Sequence, residues 1–193
     1  MLLYVIELLL SYMKKIKVIL GSSREGRNGK KVADWFMSQT EKYKEEMEFE
    51  LLDLADWPIP FFNSPVSPAM GGEPTGLTKD WAEKIAEADG VIIVTPEYNH
   101  GYPAVLKNAL DVIYKEWNYK PVSFVSYGAV SGGIRAVEQL KQVVLELKMY
   151  PIHEEVNIHF VWQAFGEDGK PADESLNSKA KALLETLKSF LNK

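Results

Sequence analysis

The sequence predicts an α/β domain: a three-layer sandwich in which a five-stranded parallel sheet lies between two layers of helices. Three observations carry this reading. Short apolar runs alternate with longer amphipathic stretches along the chain, the pattern of repeated β/α units. The strand-like runs lack in/out alternation, Gly90–Thr95 (GVIIVT) most clearly, as expected for strands covered on both faces. The chain has 193 residues, enough for one such domain and too few for two ordinary ones.

Taken in order, Ile16 to Leu20 (IKVIL) reads as a buried strand ending at Gly21. Asn28 to Lys44 reads as a helix with Val32, Ala33, Phe36 and Met37 on its apolar face. Phe49 to Leu54 is a second strand. A Pro- and Gly-rich loop from Ala55 to about Thr75 follows, longer than compact domains usually carry, and such loops are often functional. Leu77 to Ala88 is a helix and Gly90 to Thr95 the third strand. A helix starts around Pro103, where a missing N–H costs nothing, and runs to Tyr114 with Leu106, Ala109, Leu110 and Ile113 on one face. Pro121 to Ser126 (PVSFVS) is the fourth strand. Gly132 to Lys148 is a helix with Ala136, Val137, Leu140, Val143, Val144 and Leu147 inward. Ile152 to Phe160 holds a fifth strand without clear limits, and Ala172 to Leu191 is the closing helix.

Right-handed crossovers leave few topologies for this element order, and the flavodoxin-like strand order 2-1-3-4-5 fits it. In such a sheet ligands bind beyond the carboxyl ends of the strands, where the strand order reverses, here between the first and third strands. The loops after Leu20, Val94 and Ser126 therefore hold the candidate site. No repeat or linker divides residues 14–193, which read as one domain.

The formal net charge of −5 without a basic cluster argues against nucleic acid as the main partner. The chain has no cysteine, which removes disulfides, thiolate metal sites and a Cys nucleophile together and fits a reducing cytoplasm. The opening MLLYVIELLLSYMKK is apolar except for Glu7 and Ser11 before its lysines. It is shorter than the ~20 residues of a membrane span. Its positive charge follows the apolar run, the reverse of a signal peptide. No stable membrane insertion is expected. Residues 1–13 read as an extension, arising either from an upstream start codon or as a true segment packing on the protein or a neighbouring subunit.

The first loop, GSSREGRNG, supplies Ser22 and Ser23 hydroxyls, Arg24, and Asn28 beside a helix start, groups that suit a phosphate. It lacks the G-x-G-x-x-G spacing, and Arg27 and Asn28 stand where a P-loop needs Lys and Ser/Thr. A plain Gly/Ser turn with a helix cap fits the loop equally well on its own. The second loop, TPEYNHGYP, sets Glu97, Tyr98, Asn99 and His100 at a strand end behind Pro96, an aromatic and polar wall with backbone partners for a flat ring. A capped turn into a helix is the plainer reading. In the third, SYGAVSGGIRA, Gly128, Gly132 and Gly133 let backbone approach a flat ligand. Ser131 sits in G-x-x-S-G-G rather than G-x-S-x-G, so a hydrolase nucleophile is disfavoured.

GSSREGRNGKKVADW, TPEYNHGYPAVLKNALD and SYGAVSGGIRA, in that order, resemble the NADPH-dependent FMN reductase family, which includes quinone, chromate and azo-dye reductases. The resemblance spans about Lys15 to His159, with PEYN leading into LKNALD as its most specific piece. It implies non-covalent FMN, NADPH or NADH as electron donor, a small-molecule acceptor, and a homodimer or homotetramer with the flavin near a subunit interface. It implies the FMN phosphate on Ser22, Arg24, Asn28 and neighbouring amides. It implies the ring against Pro96, Glu97, Tyr98 and Asn99, with Gly128, Ser131, Gly132 and Gly133 on its other side and His100 near flavin or substrate. Arg27 replaces a small Ser of many relatives, and either adds a cation to the phosphate or points to solvent. The flavin carries the chemistry in a ping-pong hydride transfer, so no catalytic side chain or metal is expected. Tyr98, Tyr102 and the Trp residues either wall the substrate or belong to the core. Lys107 and Asn108 are expected to fix their helix and a subunit contact, and His153 and His159 to be satisfied or exposed. The competing readings are a flavodoxin-like electron carrier that does not react with NAD(P)H, and a flavin-free sensor or subunit.

Overall fold

The computed structural model describes residues 13–193; the apolar opening, up to Tyr12, lies outside the described residues. Among the described residues, six strands and five helices follow one another: β1 Lys14–Leu20, α1 Gly29–Thr40, β2 Met47–Asp53, α2 Leu77–Ala86, β3 Gly90–Pro96, α3 Ala104–Asp111, β4 Pro121–Tyr127, α4 Ile134–Glu146, β5 Tyr150–Pro151, β6 Val156–Ile158 and α5 Ser175–Leu191. The sheet runs β2-β1-β3-β4-β5 with every pairing parallel, in the predicted flavodoxin-like order.

The fifth strand departs from the single run expected over Ile152–Phe160. Two short pieces share that edge, β5 beside Pro121–Val122 and β6 beside Val125–Tyr127. Pro151 has no N–H to extend the ladder. Between the pieces the Ser123 hydroxyl donates to the Glu154 carbonyl at 2.6 Å in place of a backbone partner. Two helices are also shorter than their apolar patterns. α1 tightens into a 3-10 turn over Glu41–Tyr43, and α3 stops at Asp111 before a similar turn at Lys115–Trp117.

Strand alternation divides the interior into two cores. Ile16, Val18, Leu20, Ile92 and Val94 face α1 and α5, packing on Val32, Phe36, Leu183 and Leu187. Ile19, Val91, Ile93 and Phe124 face α2, α3 and α4, packing on Trp81, Leu106, Leu110, Val137 and Leu140. The long loop between β2 and α2 is held by one side chain of α3. Buried Asn108 accepts from the Phe62 amide at 2.9 Å and donates to the Ile59 and Pro60 carbonyls at 3.2 and 3.0 Å. Asn108 thus ties α3 to the chain's own loop.

Candidate functional site

The first loop leaves β1 by extending its ladder, with the Gly21 amide donating to the Val94 carbonyl at 2.8 Å. A side chain at Gly21 would press on Leu106, so glycine lets α3 approach the loop. Ser22 is buried, and its hydroxyl shares a 2.9 Å hydrogen bond with the Tyr98 phenol. Arg24 is exposed, its guanidinium 3.5 Å from the Gly26 carbonyl. Among the described residues, the amides of Ser22, Ser23, Arg24, Glu25 and Gly26 have no hydrogen-bond partner, and the Asn28 side chain does not cap α1. The Arg27 side chain does not point to solvent. It lies on Asp53 at the end of β2, with both side chains largely buried.

The second loop is a tight turn. Tyr98 and Gly101 exchange both backbone hydrogen bonds, at 2.8 and 2.9 Å. Asn99 and His100 between them have φ of 51° and 69°, the two positive values of a type I′ turn. Asn and His both take that conformation more readily than most residues, and neighbouring structure holds the turn in place. The Gln139 amide donates to the His100 carbonyl at 2.9 Å. The Glu97 carboxylate, 7% exposed, accepts from the backbone N–H and guanidinium of Arg135 at 3.1 and 2.9 Å. Burial alone would raise the Glu97 carboxyl pKa; hydrogen bonds from Ser131 and Arg135 and the Arg135 charge outweigh it and hold the group below the ordinary 4.5. Glu97 therefore ties the second loop to the head of α4, while Tyr98 reaches across to the first loop.

The third loop is gripped from behind by residues 158–161. The Gly128 amide donates to Ile158, the Phe160 amide to Ala129, and the Val161 amide to Gly128, at 3.0–3.1 Å. His159 Nδ1 lies 2.7 Å from the Val130 carbonyl. Gly132 and Gly133 have φ of 61° and 88°, and a Cβ on Gly133 would stand 2.7 Å from the Ser126 Cβ. Ser126 donates to the Gly132 carbonyl at 2.7 Å and accepts from Asn157 at 3.0 Å.

Residues the sequence did not point to complete this frame: Arg135, Gln139, Asn157, His159 and Asp53, together with Gly29 and Tyr127. Gly29 opens α1, and a Cβ there would overlap the Tyr127 phenol oxygen. The Tyr127 oxygen is buried beside Ser22, whose hydroxyl shares its hydrogen bond with the Tyr98 phenol. Of the remaining candidates, His153 is exposed beside Glu154, and Trp35, Trp81 and Trp117 are core. Tyr102 packs on the α2–α4 core, where burial raises its phenol. Trp162 is exposed and edge-on to Phe160. Among the described residues no cluster of three His, Asp or Glu could hold a metal ion, and no helix is long and apolar enough to cross a membrane.

Residues 14–163 match the family model for NADPH-dependent FMN reductase. The chain is 47% identical to an NAD(P)H-dependent FMN reductase of Schizosaccharomyces pombe, over 74% of this chain and 72% of that protein. It is 28% identical to an FMN-dependent NADPH-azoreductase of Staphylococcus haemolyticus, over 91% and 94% of the two chains. Its fold is similar to that of a flavoenzyme NAD(P)H:(acceptor) oxidoreductase of Paracoccus denitrificans, with a TM-score of 0.74 at 23% identity over 93% of this chain and 98% of that one. A doubly wound sheet with three motif-bearing loops at its switch point, and these similarities over most of its length, make the chain a member of the NADPH-dependent FMN reductase family.

Proposed function

We propose that the chain is an FMN-dependent NAD(P)H oxidoreductase that passes electrons to flavin, quinone or similar small acceptors in ping-pong order. The observation that carries this is the set of unpartnered amides from Ser22 to Gly26. They lie beside the exposed Arg24 guanidinium and lead into the N-terminus of α1, at the point where the strand order reverses. Unpaired N–H groups at a helix head favour an anion, and a flavin phosphate is one that fits. FMN, when bound, supplies the hydride-accepting and electron-donating ring.

The chain's own residues then bind and orient. Ser22, Arg24 and Asn28 hold the phosphate end. Pro96, Glu97, Tyr98, Asn99 and His100 present the backbone of the type I′ turn to the ring, and Gly128 with Ser131, Gly132 and Gly133 lines its other side. Glu97 acts from behind the turn through Arg135, and Tyr98 through its hydrogen bond to Ser22. Arg27 contributes positive potential from its place on Asp53. Backbone N–H groups held this firmly need no reorganisation as charge develops on the ring, which is the protein's electrostatic share of the catalysis.

The reading includes pairing of two or more copies, supported by the exposed apolar side chains Phe61, Phe62, Val66 and Met70 on the long loop. The test of the central activity is the visible spectrum of the purified protein, with FMN added, before and after anaerobic NADPH. The expected outcome is a bound-flavin spectrum that bleaches. A bound flavin that ignores NADPH and NADH would make the chain an electron carrier, and failure to bind FMN would overturn the reading.

A further inference from the structure

Resting on the FMN reading above, we infer that Glu97 and Arg135 form a balanced charge pair that sets the reduction potential of the bound flavin. Arg135 cancels a carboxylate that would otherwise oppose negative charge on the reduced ring. Glu97 follows the end of β3 in the second loop, and a Cβ on Gly128 of the third loop would lie 3.6 Å from the Glu97 Cβ. Its carboxylate continues to the head of α4, accepting from the Arg135 backbone N–H at 3.1 Å and the Arg135 guanidinium at 2.9 Å. The Ser131 hydroxyl of the third loop also donates to it. The Glu97 side chain thus bridges the two loops that the FMN reading sets on either side of the ring.

The Glu97 side chain is 7% exposed and that of Arg135 50%. A carboxylate so enclosed keeps its charge only where hydrogen bonds and opposite charge are supplied. Arg135 and the positive end of α4 supply them, and the lowered carboxyl pKa shows that they outweigh burial. Charge near the flavin ring tunes its electronics. Reduction by two electrons near neutral pH adds one negative charge to the ring. A carboxylate without its cation would therefore favour the oxidised form, and a guanidinium without its anion the reduced form. Paired, the two leave the backbone N–H groups of the turn to decide. The partners are unequal alone: water screens the half-exposed cation, while the enclosed carboxylate is screened much less. Arg135 acts through Glu97 and is a positioning residue.

The test is the midpoint potential of FMN bound to the full chain, read by equilibration with a redox dye at low ionic strength and about pH 8, well above carboxyl pKa values. Arg135→Gln should weaken binding of reduced relative to oxidised FMN about tenfold, a two-electron potential more negative by about 30 mV. Glu97→Gln should shift the potential the other way and by less. The double variant should return close to wild type, and Arg135→Lys, which keeps the charge, should stay there. Loosening of the loops alone would move both single variants in one direction, and that result would overturn the pair's role. Single variants at the wild-type potential, or a double variant that keeps the Arg135→Gln shift, would do the same. If Arg135→Gln does not fold, the sign of Glu97→Gln decides, and a level or more negative potential overturns the role. All of these leave the FMN reading standing. A wild-type chain that binds no FMN would overturn both.

Discussion

At the scale of single residues, the site depends on pairs that lie far apart in sequence and share one space. Gly29 and Tyr127 are the sharpest case, because the phenol occupies the volume a side chain at position 29 would need. Gly29→Ala should destabilise the protein by on the order of 1–3 kcal/mol, the usual cost of overpacking. Tyr127→Phe should recover part of that loss, because the contacts that remain, Leu20 Cδ1 at 2.9 Å and the ring Cζ at 3.1 Å, are milder. A double-mutant cycle from denaturant unfolding measures the coupling, and strictly additive effects would place the clash elsewhere. The sequence shows the glycine and the tyrosine but not their meeting, since loop composition carries no information on which strand end approaches which helix head. Arg27 is the same kind of case. Its unusual size is plain in GSSREGRNG, but its partner Asp53 closes a different strand, and only the β1–β2 register brings the two together.

At the scale of elements, the apolar periodicity located each helix and the first four strands of the described residues, because both cores demand uninterrupted burial of their faces, but not the two-residue β5. What periodicity did not locate were ends decided by hydrogen bonds: the stop of α3 at Asp111 and the break at Pro151. The loops follow the same division. PEYN and SGG announce a turn and a close approach, while the residues that grip them, Arg135, Gln139 and His159, look like ordinary helix or strand-end side chains. The Glu97–Arg135 link is testable through acid. The folded-state pKa of Glu97 is lowered, so its contribution is complete above the ordinary value of 4.5 and is lost as pH falls through the lower, folded value. Glu97→Gln should be less stable than wild type near neutrality by about 1–3 kcal/mol. Thermal melts across pH should show that gap closing below pH 4.5. A gap that holds constant into acid would mean that the carboxylate charge is not what ties the second loop to α4.

At the scale of the whole molecule, the strand order directs the three loops to one end of the sheet, while the long β2–α2 loop presents a separate apolar surface. A cavity of about 380 Å³ lies beneath that loop, lined by Phe62, Val66, Thr78 and Val112, none of which belongs to the three site loops. Phe61 and Met70 stand 75% and 80% exposed there. Phe61→Ser combined with Met70→Ser should lower the particle mass measured by light scattering to that of a single chain, with little change in unfolding temperature. An unaltered oligomer would move the contact to another face. Chain length and β/α alternation made the architecture legible. The proposed pairing of copies is not written in either, because an exposed aromatic in a loop looks the same in sequence whether solvent or a partner covers it.

The divided fifth strand has a consequence for the life of the protein at high concentration. A sheet ends in rows of unpaired backbone groups, which recruit strands from other chains into aggregates. On this side the row is cut into pieces of two and three residues, opening on a proline-bearing segment that cannot donate at Pro151. An incoming strand would find too short a template to add to, so the interruption protects the open flank of the molecule from intermolecular polymerisation while leaving the loops above it free for chemistry.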